Sequence, residues 1–142
     1  MRRGMQRKSI GSEGAQRLAA IHVFQGLTVG ERRMLARLVD ELSAAPGEEL
    51  MHEGTFGYEV VFVESGYAEV RHGDAAIATV GAGDMVGDLA VLGAAGTRNA
   101  TVVATAPLRG VVLTSHFMHH VRKQMPALAE QIDRAAAQHQ PA

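Results

Sequence analysis

The sequence predicts a mainly β fold with flanking helices. Between Val39 and Thr114, short β-branched runs alternate with glycine-bearing breaks, whereas the stretches on either side repeat their apolar positions at helical spacing. The length, 142 residues, suits one core, and a chain of this size buries roughly two thirds of its unfolded surface without needing staples. Hydrophobic residues at 46% and charged residues at 20% give a globular balance, and aromatics at 4% with no tryptophan make the core aliphatic.

Residues 1–14 hold Arg2, Arg3, Arg7 and Lys8, several glycines and no apolar period. A flexible basic tail is expected there, ahead of one domain over residues 15–142. The tail is read as solvated, with weak attraction to an acidic partner as the alternative. From Ala15, the spacing of Leu18, Ile21 and Phe24 predicts a first helix that stops near Gly26. Thr28 followed by Glu31 forms a capping box, because hydroxyl and carboxylate each accept an otherwise unpaired amide of the first turn. It should open a second helix that buries Met34, Leu35 and Leu38.

The runs Val60–Val63, Ala68–Val70, Ile77–Val80, Thr101–Ala104 and Gly110–Leu113 are separated by P-G, S-G, H-G-D and G-A-G-D breaks. Turn signals at this frequency describe a sandwich or barrel of short strands. Glycines 47, 54, 66, 73 and 83 are expected to supply its positive-φ turns. From Ser115 the period is helical again, with Phe117 and Val121 on one face. Pro126 suits the first turn of a last helix that runs to about His139. Leu128, Ile132, Ala135 and Ala136 lie on one side of it and Glu130, Asp133 and Arg134 on the other. That apolar stripe is read as a face packed on its own domain, with a homodimer seam as the alternative.

Composition removes several function classes. There is no cysteine, hence no disulfide framework, thiolate metal site or cysteine nucleophile. A net charge of -1 offers no basic field for nucleic acid, so no direct nucleic-acid binding is expected. The basic start leads into no apolar run, which argues against a signal peptide or membrane anchor, and nothing reaches the ~18 apolar residues of a membrane span. A cytoplasmic protein is expected.

The most informative stretch is Val86 to Ala104, V-G-D-L-A-V-L-G-A-A-G-T-R-N-A-T-V-V-A. If Gly87-Asp88-Leu89-Ala90 opens a short turn of helix, its first amides lack internal partners and attract an anion. Gly87 lets a ligand approach the backbone, and Asp88 can accept from vicinal hydroxyls. Arg98, at the head of the strand T-V-V-A, stays protonated and offers a planar fork of donors to phosphate oxygens. Leu89, Ala90 and the strand after Arg98 would form apolar walls. The ordinary alternatives are a surface arginine at a strand start and a helix-capping Asp88.

This run resembles the phosphate-binding cassette of the cyclic nucleotide-binding domain family, the β-roll of the catabolite activator protein and of protein kinase A regulatory subunits. That cassette is usually written F-G-E-[LI]-A-[LM], a short loop, then R-[STA]-A-x-V. Here it is V-G-D-L-A-V, the loop L-G-A-A-G-T, and R-N-A-T-V. Phe24 to Glu31, F-Q-G-L-T-V-G-E, is similar to the family's F-x-x-L-T-x-x-E, and Gly57 to Gly66 resembles its G-x-x-x-x-V-F-V-x-x-G hairpin with slightly different spacing. The resemblance covers roughly residues 20–140.

It implies a double-stranded β-helix, a jelly-roll-like β-roll, with N-terminal helices and two C-terminal helices. It also implies a receptor that makes and breaks no bond, with no catalytic residue and no metal or other cofactor, whose ligand is cAMP, with cGMP the other candidate. The cyclic phosphate would sit against Arg98 and the amides of Leu89 and Ala90, Asp88 would take the ribose 2′-hydroxyl, and Asn99 would help with phosphate or base. The C-terminal helix would close over the base or form a dimer seam, and a separate, unknown effector protein would read a stand-alone bacterial module. Three departures matter, one being the expectation that no second domain follows the last helix, so that another molecule reads the signal. Asp88 replaces the usual Glu and falls roughly 1.5 Å short, which forfeits part of the roughly 1.5–3 kcal/mol of a charge-assisted bond. Val86 replaces the usual aromatic and loosens one wall.

Two other readings compete. A β-roll can keep its packing after losing its ligand and act as an interaction scaffold. A cupin-like metal-dependent enzyme would use His52 and Glu53, but His52 has no H-x-H partner. His116, His119 and His120, at i, i+3 and i+4, can place two imidazoles on one helix face for a metal, although a solvated helix end is the ordinary meaning of such a run.

Overall fold

The computed structural model describes residues 6–10, 14–54, 59–87 and 100–138. Nine strands lie among them: β1 Gln6–Ser9, β2 Asp40–Ala44, β3 Glu49–Met51, β4 Glu59–Ser65, β5 Ala68–His72, β6 Ala75–Val80, β7 Met85–Val86, β8 Thr101–Ala104 and β9 Leu108–Thr114. They form a five-stranded sheet in the order β1-β2-β9-β4-β7 and a four-stranded sheet in the order β3-β8-β5-β6, antiparallel throughout. The expected fold class is therefore observed: a rolled double sheet with helices before and after it. Each of the five anticipated apolar runs lies within a strand, and glycines 47, 54, 66, 73 and 83 all have positive φ.

Strands β4, β7 and β9 of the five-stranded sheet are buried on both faces. Leu42, Val61, Val63, Val86 and Val112 point into the roll, where they meet Val70, Val102 and Ala104 of the other sheet in one apolar cluster. Val60, Phe62, Met85, Val111 and Leu113 point the other way and join the helices in a second cluster. Strand side chains alternate between faces, so a strand covered on both must be apolar at successive positions, which explains the unbroken run Val60–Val63. Phe62 meets Phe24 with ring centroids 4.8 Å apart and planes tilted by 58°, one of the offset arrangements aromatic rings prefer.

The N-terminal segment departs from expectation in two ways. The flexible tail expected over residues 1–14 does not hold for Gln6–Ser9, whose backbone pairs with β2 from Gln6 opposite Ser43 to Ser9 opposite Asp40. Q-R-K-S carries no alternation to betray a strand, but charged residues are what proteins place on sheet edges. The single helix expected from Ala15 to Gly26 is broken into α1, Ala15–Leu18, and a 3-10 turn, His22–Phe24, with Ile21 extended between them. Leu18, Ile21 and Phe24 are buried all the same. A repeat of three fits a 3-10 turn as well as an α-helix, so the spacing located the buried face and not the hydrogen bonding.

Helix α2, Val29–Ala36, has the predicted capping box: Glu31 N–H donates to Thr28 Oγ1 (3.1 Å) and Thr28 N–H to Glu31 Oε1 (2.9 Å). Leu35 is fully buried and Leu38 half-buried, but Met34 is 40% exposed. The helix turns its Leu35 and Ala36 side inward, and Met34 stands about 100° round from Leu35.

At the other end, α3 (Ser115–Gln124) is capped by Thr114 Oγ1, which accepts from Phe117 N–H, and α4 (Pro126–Gln138) follows a break at Met125. Met118, Val121, Leu128, Ala129 and Ile132 are buried in the helix-side cluster, so Leu128 and Ile132 pack on their own domain. Arg122 donates two hydrogen bonds of 3.0 Å to Asp133 and ties α3 to α4. At the opposite corner, Arg17 of α1 reaches the sheet: Nε and Nη2 donate to Glu64 of β4, and Nη1 donates to Glu41 of β2 at 2.6 Å. Hydrogen bonding to Glu64 is the main cause that raises the Arg17 pKa far above the ordinary arginine value.

Candidate functional site

A tight turn delivers the chain to the candidate site. Gly81 N–H donates to Asp84 Oδ2 (2.8 Å), Asp84 N–H to the Gly81 carbonyl (3.0 Å), and Val63 N–H to the Asp84 carbonyl (2.8 Å). The G-A-G-D segment is thus pinned to β4, and the two-residue β7 follows with Met85 opposite Phe62 and Val86 opposite Val61. The two residues face opposite ways, Val86 into the roll and Met85 into the helix-side core.

Gly87 comes next, buried, with φ at 83°. A side-chain-bearing residue adopts this left-handed conformation only at a cost, so the glycine is required by the bend and not only by ligand approach. Asp88, Leu89, Ala90, Arg98 and Asn99 lie outside the described residues. The chain is described again at Ala100, which is buried in the roll, and enters β8, with Thr101 opposite Arg71 and Val102 opposite Val70 and Met51. Residues 88–99 therefore connect two anchors, Val86 in one sheet and Ala100 at the entry to the other, both seated in the same apolar cluster.

Sequence reasoning missed the polar rim beside Ala100. Glu53 N–H donates to Thr101 Oγ1 (2.9 Å), and Gly73 N–H of the β5–β6 turn donates to Glu53 Oε1 (2.9 Å). His72 Nδ1 is 3.8 Å from Glu53 Oε2, and Arg71 Nε donates to Glu69 Oε1 (2.6 Å). The turn signals at G54 and H-G-D were visible, but nothing in them says that the two turns meet. His52, the residue of the cupin comparison, is exposed and pairs with Glu49 (3.1 Å). Among the described residues, no group of three or more His, Cys, Asp or Glu gathers as a metal set.

A groove of about 500 Å³ lies elsewhere, lined by residues that include Ala44, Pro46, Pro107, Leu108 and Arg109. It sits at the Leu108 end of β9, whereas the Gly87 turn lies toward the Thr114 end, because β7 pairs with β4 near Val61 and Val61 pairs with Val112. The motif picked out in the sequence starts at the Gly87 end and not at this groove.

The sequence profile of the cyclic nucleotide-binding domain matches residues 41–124, from β2 through α3. The chain belongs to the cyclic nucleotide-binding domain family. Its similarity to a cAMP-dependent protein kinase regulatory subunit of Hypocrea atroviridis is 31% identity over 96 residues, 68% of this chain and 21% of that protein. The chain spans less than half the length of the curated relatives it matches. Among solved structures, a cyclic nucleotide-binding domain from Methylobacillus flagellatus superposes with a TM-score of 0.74 at 20% identity, covering 93% of this chain and 80% of that one. The regulatory domain of Toxoplasma gondii PKA, crystallised with cAMP, gives 0.73 at 20% identity, covering 90% of this chain and 50% of that one. These structural likenesses establish the β-roll fold of the domain. No helix among the described residues is long and apolar enough to cross a membrane.

Proposed function

We propose that this domain is a non-enzymatic sensor of a cyclic nucleotide, cAMP in the first instance, and that it signals through α3 and α4 to a separate effector protein in the cytoplasm. The observation that carries the reading is the placement of the cassette sequence: V-G-D-L-A-V to R-N-A-T-V begins on a buried strand of one sheet and ends on a buried strand of the other. A ligand held by both ends of that connection would bridge the sheets.

In this reading Arg98 holds the cyclic phosphate together with the amides of Leu89 and Ala90, Gly87 permits the approach, Asp88 accepts from the ribose 2′-hydroxyl, and Asn99 contacts phosphate or base. The described strands supply the apolar floor, Val61, Val70, Val86 and Val102. Two adjacent side chains support the coupling: Val86 lies in the cluster beneath the ligand, and Met85 lies in the cluster that contains Met118, Leu128 and Ile132 of the C-terminal helices. A ligand that favours one position of the Gly87 turn then favours one packing of α3 and α4, to the extent that it binds the two arrangements differently.

Thermal unfolding with and without cAMP or cGMP, combined with hydrogen exchange across α3 and α4, tests both parts. A rise in Tm at saturating nucleotide together with altered protection in the two helices is expected. No shift with either nucleotide would leave a ligand-free interaction scaffold as the function.

A further inference from the structure

We propose that the outer face of α3 is a two-imidazole site for a borderline divalent cation such as Zn2+ or Ni2+, with His116 and His120 as its protein ligands. The two residues are one helical turn apart, so their side chains share a face. Their ring centroids are 5.4 Å apart, with planes at 78°. A metal–nitrogen bond of about 2.0–2.1 Å, added to the roughly 1.1 Å from a ring nitrogen to its centroid, puts each centroid about 3.2 Å from a shared cation. At a tetrahedral angle the two centroids would then be about 5.2 Å apart. The observed centroid spacing agrees with that requirement.

Both imidazoles are exposed, which leaves room for waters in the remaining positions, and the helix beneath them is held by the buried Met118 and Val121 and by the Thr114 cap. A site on a packed element keeps its geometry better than one on a loop. Phe117 fills the space beside the pair, its ring centroid 5.1 Å from that of His116 and 6.1 Å from that of His120. His119 is offset to the side of the pair, its centroid 6.4 Å from that of His120. Imidazole donors favour zinc, nickel and copper over hard cations such as Mg2+. Nothing in this site depends on the nucleotide reading.

The test is calorimetric titration of Ni2+ and of Zn2+ into tag-free protein, repeated on His116→Ala, His120→Ala and His119→Ala. One saturable equivalent is expected, weakened about tenfold or more by either of the first two substitutions and left near wild type by the third, with no heat from Mg2+. All three residues are solvent-exposed, so the variants should unfold at the wild-type temperature without metal, which separates lost ligation from lost structure. Absence of saturable binding, equal affinity in the His116→Ala, His120→Ala double variant, or dependence on His119 in place of His120 would overturn the assignment.

Discussion

Arg17 and Glu64 form a fork-to-fork pair across 47 residues of sequence, with Nε to Oε2 at 3.1 Å and Nη2 to Oε1 at 2.5 Å. The same guanidinium also holds Glu41, so α1 is fastened to two strands of the five-stranded sheet. With Arg17 28% exposed and Glu64 19%, the pair is partly screened, and Arg17→Ala should destabilise the fold by about 1–3 kcal/mol. Arg17→Lys should recover only part of that, since an ammonium cannot reproduce the fork. Because the folded pKa of Arg17 is raised, its contribution is fully present below the ordinary arginine pKa, so the difference between wild type and Arg17→Ala should stay constant from neutrality to about pH 10. Denaturant midpoints measured across that range check both statements.

Arg122 and Asp133 repeat the two-bond geometry at 3.0 Å each, but their side chains are 38% and 44% exposed. Arg122→Ala should therefore cost no more than about 1 kcal/mol globally. Its effect should be local, as faster hydrogen exchange in α4 than in α2. A loss as large as that of Arg17→Ala would show that α4 is held far more by this pair than by Leu128 and Ile132.

Phe62 stands between the sheet and the 3-10 turn that carries Phe24, so Phe62→Ala should remove about 3–5 kcal/mol. Ile77, 49% exposed on the edge strand β6, should tolerate alanine within about 0.5 kcal/mol. Thermal or chemical unfolding of the two variants separates a core position from a surface one.

Gly87 and Gly26 both have positive φ, 83° and 92°, but only Gly87 borders the candidate site. Alanine at either should cost about 1–2 kcal/mol of stability. Only Gly87→Ala should also weaken nucleotide binding. Equal affinities for both variants, measured by calorimetry, would separate the Gly87 turn from the ligand.

The fold was legible where burial leaves a periodic trace. Val60–Val63 marked a strand, and Leu128 and Ile132 marked the buried side of α4. Gln6–Ser9 escaped because an edge strand is held by backbone pairing, which no side-chain pattern records. The Arg17 cluster escaped because its partners, Glu41 and Glu64, are brought together by sheet order and not by sequence distance. In the candidate site the motif itself was fully visible, and the structure adds its two anchors, Val86 and Ala100, and the buried bend at Gly87. The rim of Glu53, Gly73 and Thr101 depends on two turns meeting across the four-stranded sheet and left no signal.

Calorimetric titration of cAMP into wild type and into Arg98→Ala tests the central claim most directly. Saturable binding to the wild type, weakened about a hundredfold by the substitution, roughly 3 kcal/mol, is the predicted result. Equal binding to the two proteins, or none to either, would contradict it.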